Sequence, residues 1–224
     1  FVVSGAGAAV AKHGNKSVSS KCGSADVLKE LGVNIDLQPK QVEKCIEEIG
    51  IGFMFAPIFH PAMKFASNAR KEIGIRTIFN ILGPLTNPAN AKSQLIGVFD
   101  ENLLRIIAEV LKNLGSKHVI AVNGNGLDEI TICGKTKVCE LKNNNIDIYS
   151  INPEDFGFRL NSLKEISGSS PQENAKIITD VLNGADGPKR NVVLLNAAAA
   201  LLTANMAKDY KDALELVAHS IDSG

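Results

Sequence analysis

The sequence carries no net charge, because 24 Lys and Arg balance 24 Asp and Glu. A protein that grips duplex nucleic acid by neutralising phosphates would show a basic excess, and there is none. A disordered chain would be strongly charged and poor in Val, Ile and Leu, whereas hydrophobic residues here reach 45%. No uninterrupted apolar run reaches the roughly 18–20 residues that cross a bilayer. The longest approach, residues 191–206, is broken by Asn196, Thr203 and Asn205. Residues 1–11 lack a basic stretch ahead of their apolar run, so they do not read as a secretory leader. The four cysteines, Cys22, Cys45, Cys133 and Cys139, form no C-x-x-C pair and have no His at ligand spacing. Structural zinc is thereby disfavoured, and reduced thiols of a cytoplasmic protein are expected. Also missing are a nucleophile elbow, a Ser-His-Asp order, a G-x-G-x-x-G fingerprint, a complete P-loop, internal repeats and low-complexity tracts.

What is present suits an α/β protein. The length of 224 residues is ample for a buried core. Residue 1 is Phe rather than Met, in the middle of an apolar run, which leads us to expect a piece of a longer product. Helices are expected at residues 25–31 (capped by Ser24), 41–49 (opened by Pro39, stopped by Gly50), 61–73 and 102–114 (capped by Asp100). In the last of these Leu103, Ile106, Ile107, Val110 and Leu114 recur at helical spacing. Further helices are expected at 172–182, 191–206 and 211–221. Strands are expected at 52–56, 94–99, 117–122 and 146–151. Residues 129–133 and 137–141 read as a hairpin about Gly134, and 143–145 as a turn. Such alternation predicts a sheet covered on both faces and at least partly parallel.

Three segments bear chemistry. Lys12-His13-Gly14-Asn15-Lys16-Ser17-Val18-Ser19-Ser20-Lys21-Cys22-Gly23-Ser24 puts three lysines, hydroxyls and glycines just before a helix N-terminus. Free N–H groups and the helix dipole there suit a phosphate; a solvated polar loop is the bland alternative. Asn123-Gly124-Asn125-Gly126-Leu127-Asp128-Glu129 follows a buried strand. Its adjacent carboxylates, Asp128 and Glu129, are able to turn toward one Mg²⁺ or simply face water. In the third, His60 stands ahead of a helix that holds Lys64, Ser67 and Arg70, the last a natural partner for a carboxylate. Gly83-Pro84 opens a rigid loop that either makes a turn or lines a pocket.

Together these segments resemble the anthranilate phosphoribosyltransferases, of the nucleoside-phosphorylase-like phosphoribosyltransferase family. The stretches concerned are KHGNKSVSSKCGSADVLKELG (12–32), FAPIFHPAMKFASNAR (55–70), RTIFNILGPLTNPAN (76–90), NGNGLDEI (123–130) and NAAAALLTA (196–204). The resemblance implies an α/β catalytic domain over residues 1–224, with a mixed, partly parallel central sheet flanked by helices. It also implies transfer of the phosphoribosyl group of phosphoribosyl pyrophosphate to anthranilate in tryptophan biosynthesis, with Mg²⁺ as cofactor. By the same resemblance Lys12, His13, Gly14, Asn15, Lys16, Ser17, Val18, Ser19, Ser20 and Ser24 contact the sugar substrate, and Asn15 and Arg70 contact anthranilate. His13 and His60 line the same region, Gly83 and Pro84 form a pocket wall, and Asp128 with Glu129 ligate the metal. No catalytic nucleophile is implied, His13 being the one candidate for a direct role. Lys16 stands where the family usually has Arg, and Cys22 where it has a small residue. The family's glycine-rich pyrophosphate loop and N-terminal helical domain, through which its members pair as homodimers, are expected ahead of residue 1. A pyrimidine nucleoside phosphorylase and a catalytically silent phosphate-binding piece are the alternatives.

Overall fold

The computed structural model describes all residues except 18–20, 67–71 and 73–78. In chain order its first half forms α1 (Val2–Gly5), β1 (Val10–Gly14), α2 (Ser24–Glu30), α3 (Pro39–Ile49), β2 (Ile51–Phe55), α4 (Ala56–Phe59) and α5 (Phe79–Leu85). The remainder adds β3 (Ser93–Gly97), α6 (Leu104–Asn113), β4 (His118–Asn123), β5 (Thr136–Lys142) and β6 (Asn145–Ile151). Four helices close the chain: α7 (Leu163–Ile166), α8 (Pro171–Leu182), α9 (Pro188–Thr203) and α10 (Tyr210–Asp222). Two compact units result, one of residues 1–8, 91–167 and 177–224, the other of residues 9–90 and 168–176. No helix among the described residues is long and apolar enough to cross a membrane.

The larger unit is built on a mixed four-stranded sheet in the order β3-β4-β5-β6. β3 and β4 run parallel, joined through α6, and β4, β5 and β6 are antiparallel neighbours. β4 is buried along its whole length. Because successive side chains alternate between faces, Ile120 and Val122 enter a cluster with Leu194, Leu195, Ala198 and Leu201 of α9 and Val217 of α10. On α6 the buried residues are Leu104, Ile107, Ala108 and Leu111. That stripe differs from the one expected, for Ile106 is 54% and Leu114 57% exposed. A 3₁₀ turn at Glu101–Leu103 advances the chain by a different angle per residue, so the helical face starts one residue late, at Leu104. Asp100 does cap this segment, its carboxylate accepting from Asn102 N–H at 3.0 Å.

The expected hairpin about Gly134 does not form. Residues 129–133 take no strand, and β5 pairs with β4 on one side and β6 on the other. Ile130 and Ile132 are fully buried, so their alternation mimics a strand while their side chains simply plug the core. The real hairpin joins β5 to β6 across Asn143 and Asn144, both at positive φ, in the two-residue turn their short polar side chains tolerate. At the far edge of β4 a buried polar network ties three strands together. His118 bonds Glu140 Oε1 at 2.7 Å, and the Tyr149 hydroxyl donates to Glu140 Oε2 at 2.8 Å.

In the smaller unit β1 and β2 form a parallel pair, Lys12 lying opposite Phe53 and Gly14 opposite Phe55. β1 falls where the sequence reads as loop. α3 starts at Pro39 and ends at Gly50, whose φ of 75° needs the left-handed freedom of glycine. The helix expected from Pro61 opens as a 3₁₀ helix over Pro61–Ala66; Glu72 is helical, and residues 67–71 and 73 lie outside the described ones.

Candidate active site

In the smaller unit, β1 delivers Lys12, His13 and Gly14 to its C-terminal end, the end of a parallel strand where α/β proteins place their ligands. The chain then folds back on the start of α2. Asn15 O accepts from Ala25 N at 3.2 Å, and Asp26 Oδ2 accepts from both Ser17 N and Gly23 N at 2.9 Å. These bonds correct two expectations. Gly23, not Ser24, is the N-cap, and the Ser24 hydroxyl donates instead to Asn15 O at 3.4 Å. The N–H groups of Ala25, Asp26 and Val27, expected to be free for an anion, already bond Asn15 O and Gly23 O. An anion here is therefore left to the lysines, the hydroxyls and the remaining loop amides. Lys12, Asn15 and Lys16 are exposed, and Ser17 is half-buried. A Cβ on Gly23 would collide with the backbone of Asn15, Lys16 and Ser17, so the loop closes only around glycine. Val18, Ser19, Ser20 and Arg70 lie outside the described residues, as does Ser67.

Asp26 organises this loop, and its two N–H bonds hold its carboxyl below the ordinary carboxylate range. A depressed value means that its contribution is fully present above the ordinary range and is lost as pH falls through the lowered one. Asp26→Ala is expected to release the Ser17 and Gly23 amides. A chemical-shift perturbation titration with inorganic pyrophosphate checks this: binding should weaken several-fold at neutral pH. Unchanged binding would show that the loop needs no such brace.

His13 and His60 stand together, their ring centroids 4.9 Å apart and edge to face. His13 Nδ1 donates to Gly83 O at 3.3 Å; a carbonyl only accepts, so the neutral ring keeps its proton on Nδ1. Burial pulls His13 below the ordinary histidine range, helped by His60 and Lys12 and opposed by the Gly83 bond. The Nε2 atoms of both rings are buried without a partner among the described residues. Gly83 and Pro84 are not in a loop: they sit in the last turn of α5, where Pro84 forgoes one helical bond. At the end of this helix the Thr86 hydroxyl donates to Leu82 O at 2.8 Å.

In the larger unit, the acidic pair follows β4, at the strand end where it is expected. Asn125 and Gly126, at φ of 55° and 90°, make a tight turn bridged by Gly124 and Leu127. Asn123 pins this turn, its Oδ1 accepting from Gly126 N at 3.0 Å and its Nδ2 donating to Val98 O at 2.7 Å. Asp128 is exposed and Glu129 half-buried. Burial, and then the charge of Asp128, push the Glu129 carboxyl above the ordinary range. No cation or hydrogen-bond donor meets either carboxylate among the described residues, so the pair is short of positive charge. Two adjacent carboxylates fit Mg²⁺, which keeps several waters and takes substrate phosphates to fill its shell. No third His, Cys, Asp or Glu joins them among the described residues. Asn123 and Asp26, which brace their loops, are residues whose roles reading the sequence overlooked.

Glu129 gives a signed expectation. A raised carboxyl makes ionisation costly to the folded state at neutral pH, and that cost vanishes below the ordinary carboxylate range. Glu129→Gln is therefore expected to raise the melting temperature at pH 7 and to leave it unchanged in acid. Added Mg²⁺ should stabilise the parent chain and not the variant, because a ligand stabilises only the state that binds it. Thermal melts at both pH values check this; a variant less stable at pH 7 would contradict the charge assignment.

Each unit of this α/β protein places polar chemistry at a strand end: lysines and hydroxyls after β1 in the smaller, and adjacent carboxylates after β4 in the larger. Residues 1–224 match the family described as the glycosyl transferase family, a/b domain, and the chain belongs to it. Anthranilate phosphoribosyltransferase of Alkaliphilus metalliredigens is 54% identical over 225 residues, covering 100% of this chain and 66% of its own length. The crystal structure of that enzyme from Thermus thermophilus superposes with a TM-score of 0.92 at 40% identity, over 99% of this chain and 66% of its own. The Saccharomyces cerevisiae enzyme in complex with PRPP and Mg gives 0.87 at 28% identity, over 98% and 63%. The chain thus spans slightly less than two thirds of the length of these relatives. None of the four cysteines, all of them among the described residues, forms a disulfide.

Proposed function

We propose that the protein is an anthranilate phosphoribosyltransferase: it joins the amino nitrogen of anthranilate to C1 of phosphoribosyl pyrophosphate and releases pyrophosphate. The observation that carries this reading is the likeness to such enzymes along the whole chain, 54% identity in sequence and a TM-score of 0.92 in structure. In this reading residues 1–224 act as one catalytic α/β domain. Lys12 to Ser20 and Ser24 hold the sugar pyrophosphate, and Asn15 and Arg70 take the anthranilate. His13, His60, Gly83 and Pro84 line the acceptor's surroundings. The unpartnered Nε2 atoms of the two histidines support this, since buried polar atoms without partners are rare unless a ligand meets them. A yeast relative has been solved in complex with 4-fluoroanthranilate, which favours an anthranilate acceptor here too.

Asp128 and Glu129 hold Mg²⁺, which when bound neutralises charge developing on the departing pyrophosphate. The lysines and loop donors add to that electrostatic stabilisation, and the fixed loop geometry orients the sugar for displacement. An aromatic amine needs little activation, so no side chain has to take a proton before attack. Work in the cytoplasm as a homodimer belongs to the same proposal.

Mass spectrometry of a mixture of the protein, anthranilate, phosphoribosyl pyrophosphate and Mg²⁺ tests it. The expected product is anthranilate enlarged by one phosphoribosyl group. Phosphate-dependent release of thymine from thymidine, with anthranilate untouched, would establish the nucleoside phosphorylase alternative.

A further inference from the structure

Ile130 follows the acidic pair directly, and its backbone lies in a segment that forms no strand. A buried peptide group without a ladder partner must find one elsewhere. It finds Asn196, in the middle of α9. Ile130 N–H donates to Asn196 Oδ1 at 2.9 Å, and Asn196 Nδ2 donates back to Ile130 O at 2.7 Å. The second Nδ2 hydrogen goes to Val192 O at 2.9 Å, one helical turn earlier. The carboxamide thus makes three bonds and stands in for a neighbouring strand at one residue. Asparagine is a poor choice inside residues 192–202 of this helix, otherwise all Ala, Leu and Val, so the local sequence preference is overridden here.

The remaining supports of this loop point the same way. Gly97, at the end of β3, lies so near the Asp128 backbone that any Cβ there would run into its carbonyl oxygen. Asn123 fixes the turn on the other side of the pair. Glu129 and Asp128 are therefore bracketed by mounts at the preceding turn, at β3 and at Ile130.

We propose that Asn196 is a positioning residue of the metal site: its carboxamide clamps the Ile130 peptide and so holds Asp128 and Glu129 where both meet one divalent cation. The proposal rests on the reading of Asp128 and Glu129 as metal ligands. Partners of metal ligands typically change affinity by about 10–100-fold when removed, and the clamp belongs in that range. Leu201, also on α9 and fully buried, touches the same core without contacting the loop backbone through a polar group, and supplies the control.

The test is a Mn²⁺ titration of the 224-residue chain by nuclear magnetic resonance, following paramagnetic broadening of the Leu127 and Ile130 amide signals. Four proteins are compared: the parent, Asn196→Leu, Leu201→Ala and Asp128→Asn. The proposal expects the half-broadening concentration to rise about tenfold or more in Asn196→Leu and in Asp128→Asn, and to stay unchanged in Leu201→Ala. Broadening lost in Asp128→Asn but unaltered in Asn196→Leu would overturn the clamp and keep the ligand assignment. Broadening unaltered in both would overturn the two together. Equal weakening in Asn196→Leu and Leu201→Ala would reduce Asn196 to a stability role and overturn the proposal. Should Asn196→Leu fail to fold, Asn196→Asp replaces it, keeping the acceptor for Ile130 N–H and losing both donors, with the same outcomes.

Discussion

Asp128→Asn is expected to lower the rate of phosphoribosyl transfer by about 100-fold or more while leaving the fold intact. The size follows from the role: a metal that neutralises a leaving group supplies several kcal/mol, and each ~1.4 kcal/mol is a factor of ten. The harmlessness to the fold follows from position. Asp128 is exposed, makes no ion pair among the described residues, and repels its neighbour Glu129. Removing its charge should let the Glu129 carboxyl return toward its ordinary range, so the variant should melt no lower than the parent at neutral pH. Initial rates at saturating anthranilate, read beside a thermal melt, check both halves. A variant with the parent's rate would remove the acidic pair from the chemistry.

The second large effect is on stability. Leu195→Ala empties a fully buried position in the cluster formed by β4, α9 and α10. Such truncations cost about 2–5 kcal/mol, the transfer term plus the cavity left behind. For a chain of this length about 3 kcal/mol corresponds to a melting temperature lowered by roughly 6–12 °C. Ile106→Ala supplies the contrast. The sequence pattern puts Ile106 on the buried face of α6, but it is 54% exposed, and its truncation should stay within about 0.5 kcal/mol. Calorimetry of the two variants decides between the faces; a larger loss at Ile106 than at Leu195 would contradict the packing described.

Where the sequence was legible, one physical signal dominated. β2, β3 and β4 each centre on a short apolar run, β6 alternates Ile146 and Ile148 with Asp147, and α3 carries proline at its start and glycine at its end. β1 escaped notice because Lys12, His13 and Gly14 make most of it polar or glycine, a composition that reads as loop. The false hairpin arose from Ile130 and Ile132, which alternate as a strand does, in a segment whose backbone is satisfied through side chains. Pro84 suggested a loop, yet it sits in the last turn of a helix, which forgoes one intrahelical bond there. Of the site, the groups facing solvent or ligand were readable by type: the lysines, Asp128, Glu129 and the two histidines. Those that hold them, Asp26, Asn123 and Asn196, act through three-dimensional proximity. Only Asn196 left a local trace, as the one polar residue in the apolar run 192–202 of its helix.

The central claim, that this chain belongs to an enzyme coupling anthranilate to phosphoribosyl pyrophosphate, is tested most directly by anthranilate fluorescence. The protein is mixed with anthranilate and Mg²⁺, and phosphoribosyl pyrophosphate is then added. The expected result is a steady loss of fluorescence that starts only on that addition and stops when Mg²⁺ is chelated. A signal that stays flat with both substrates and the metal present would contradict the claim.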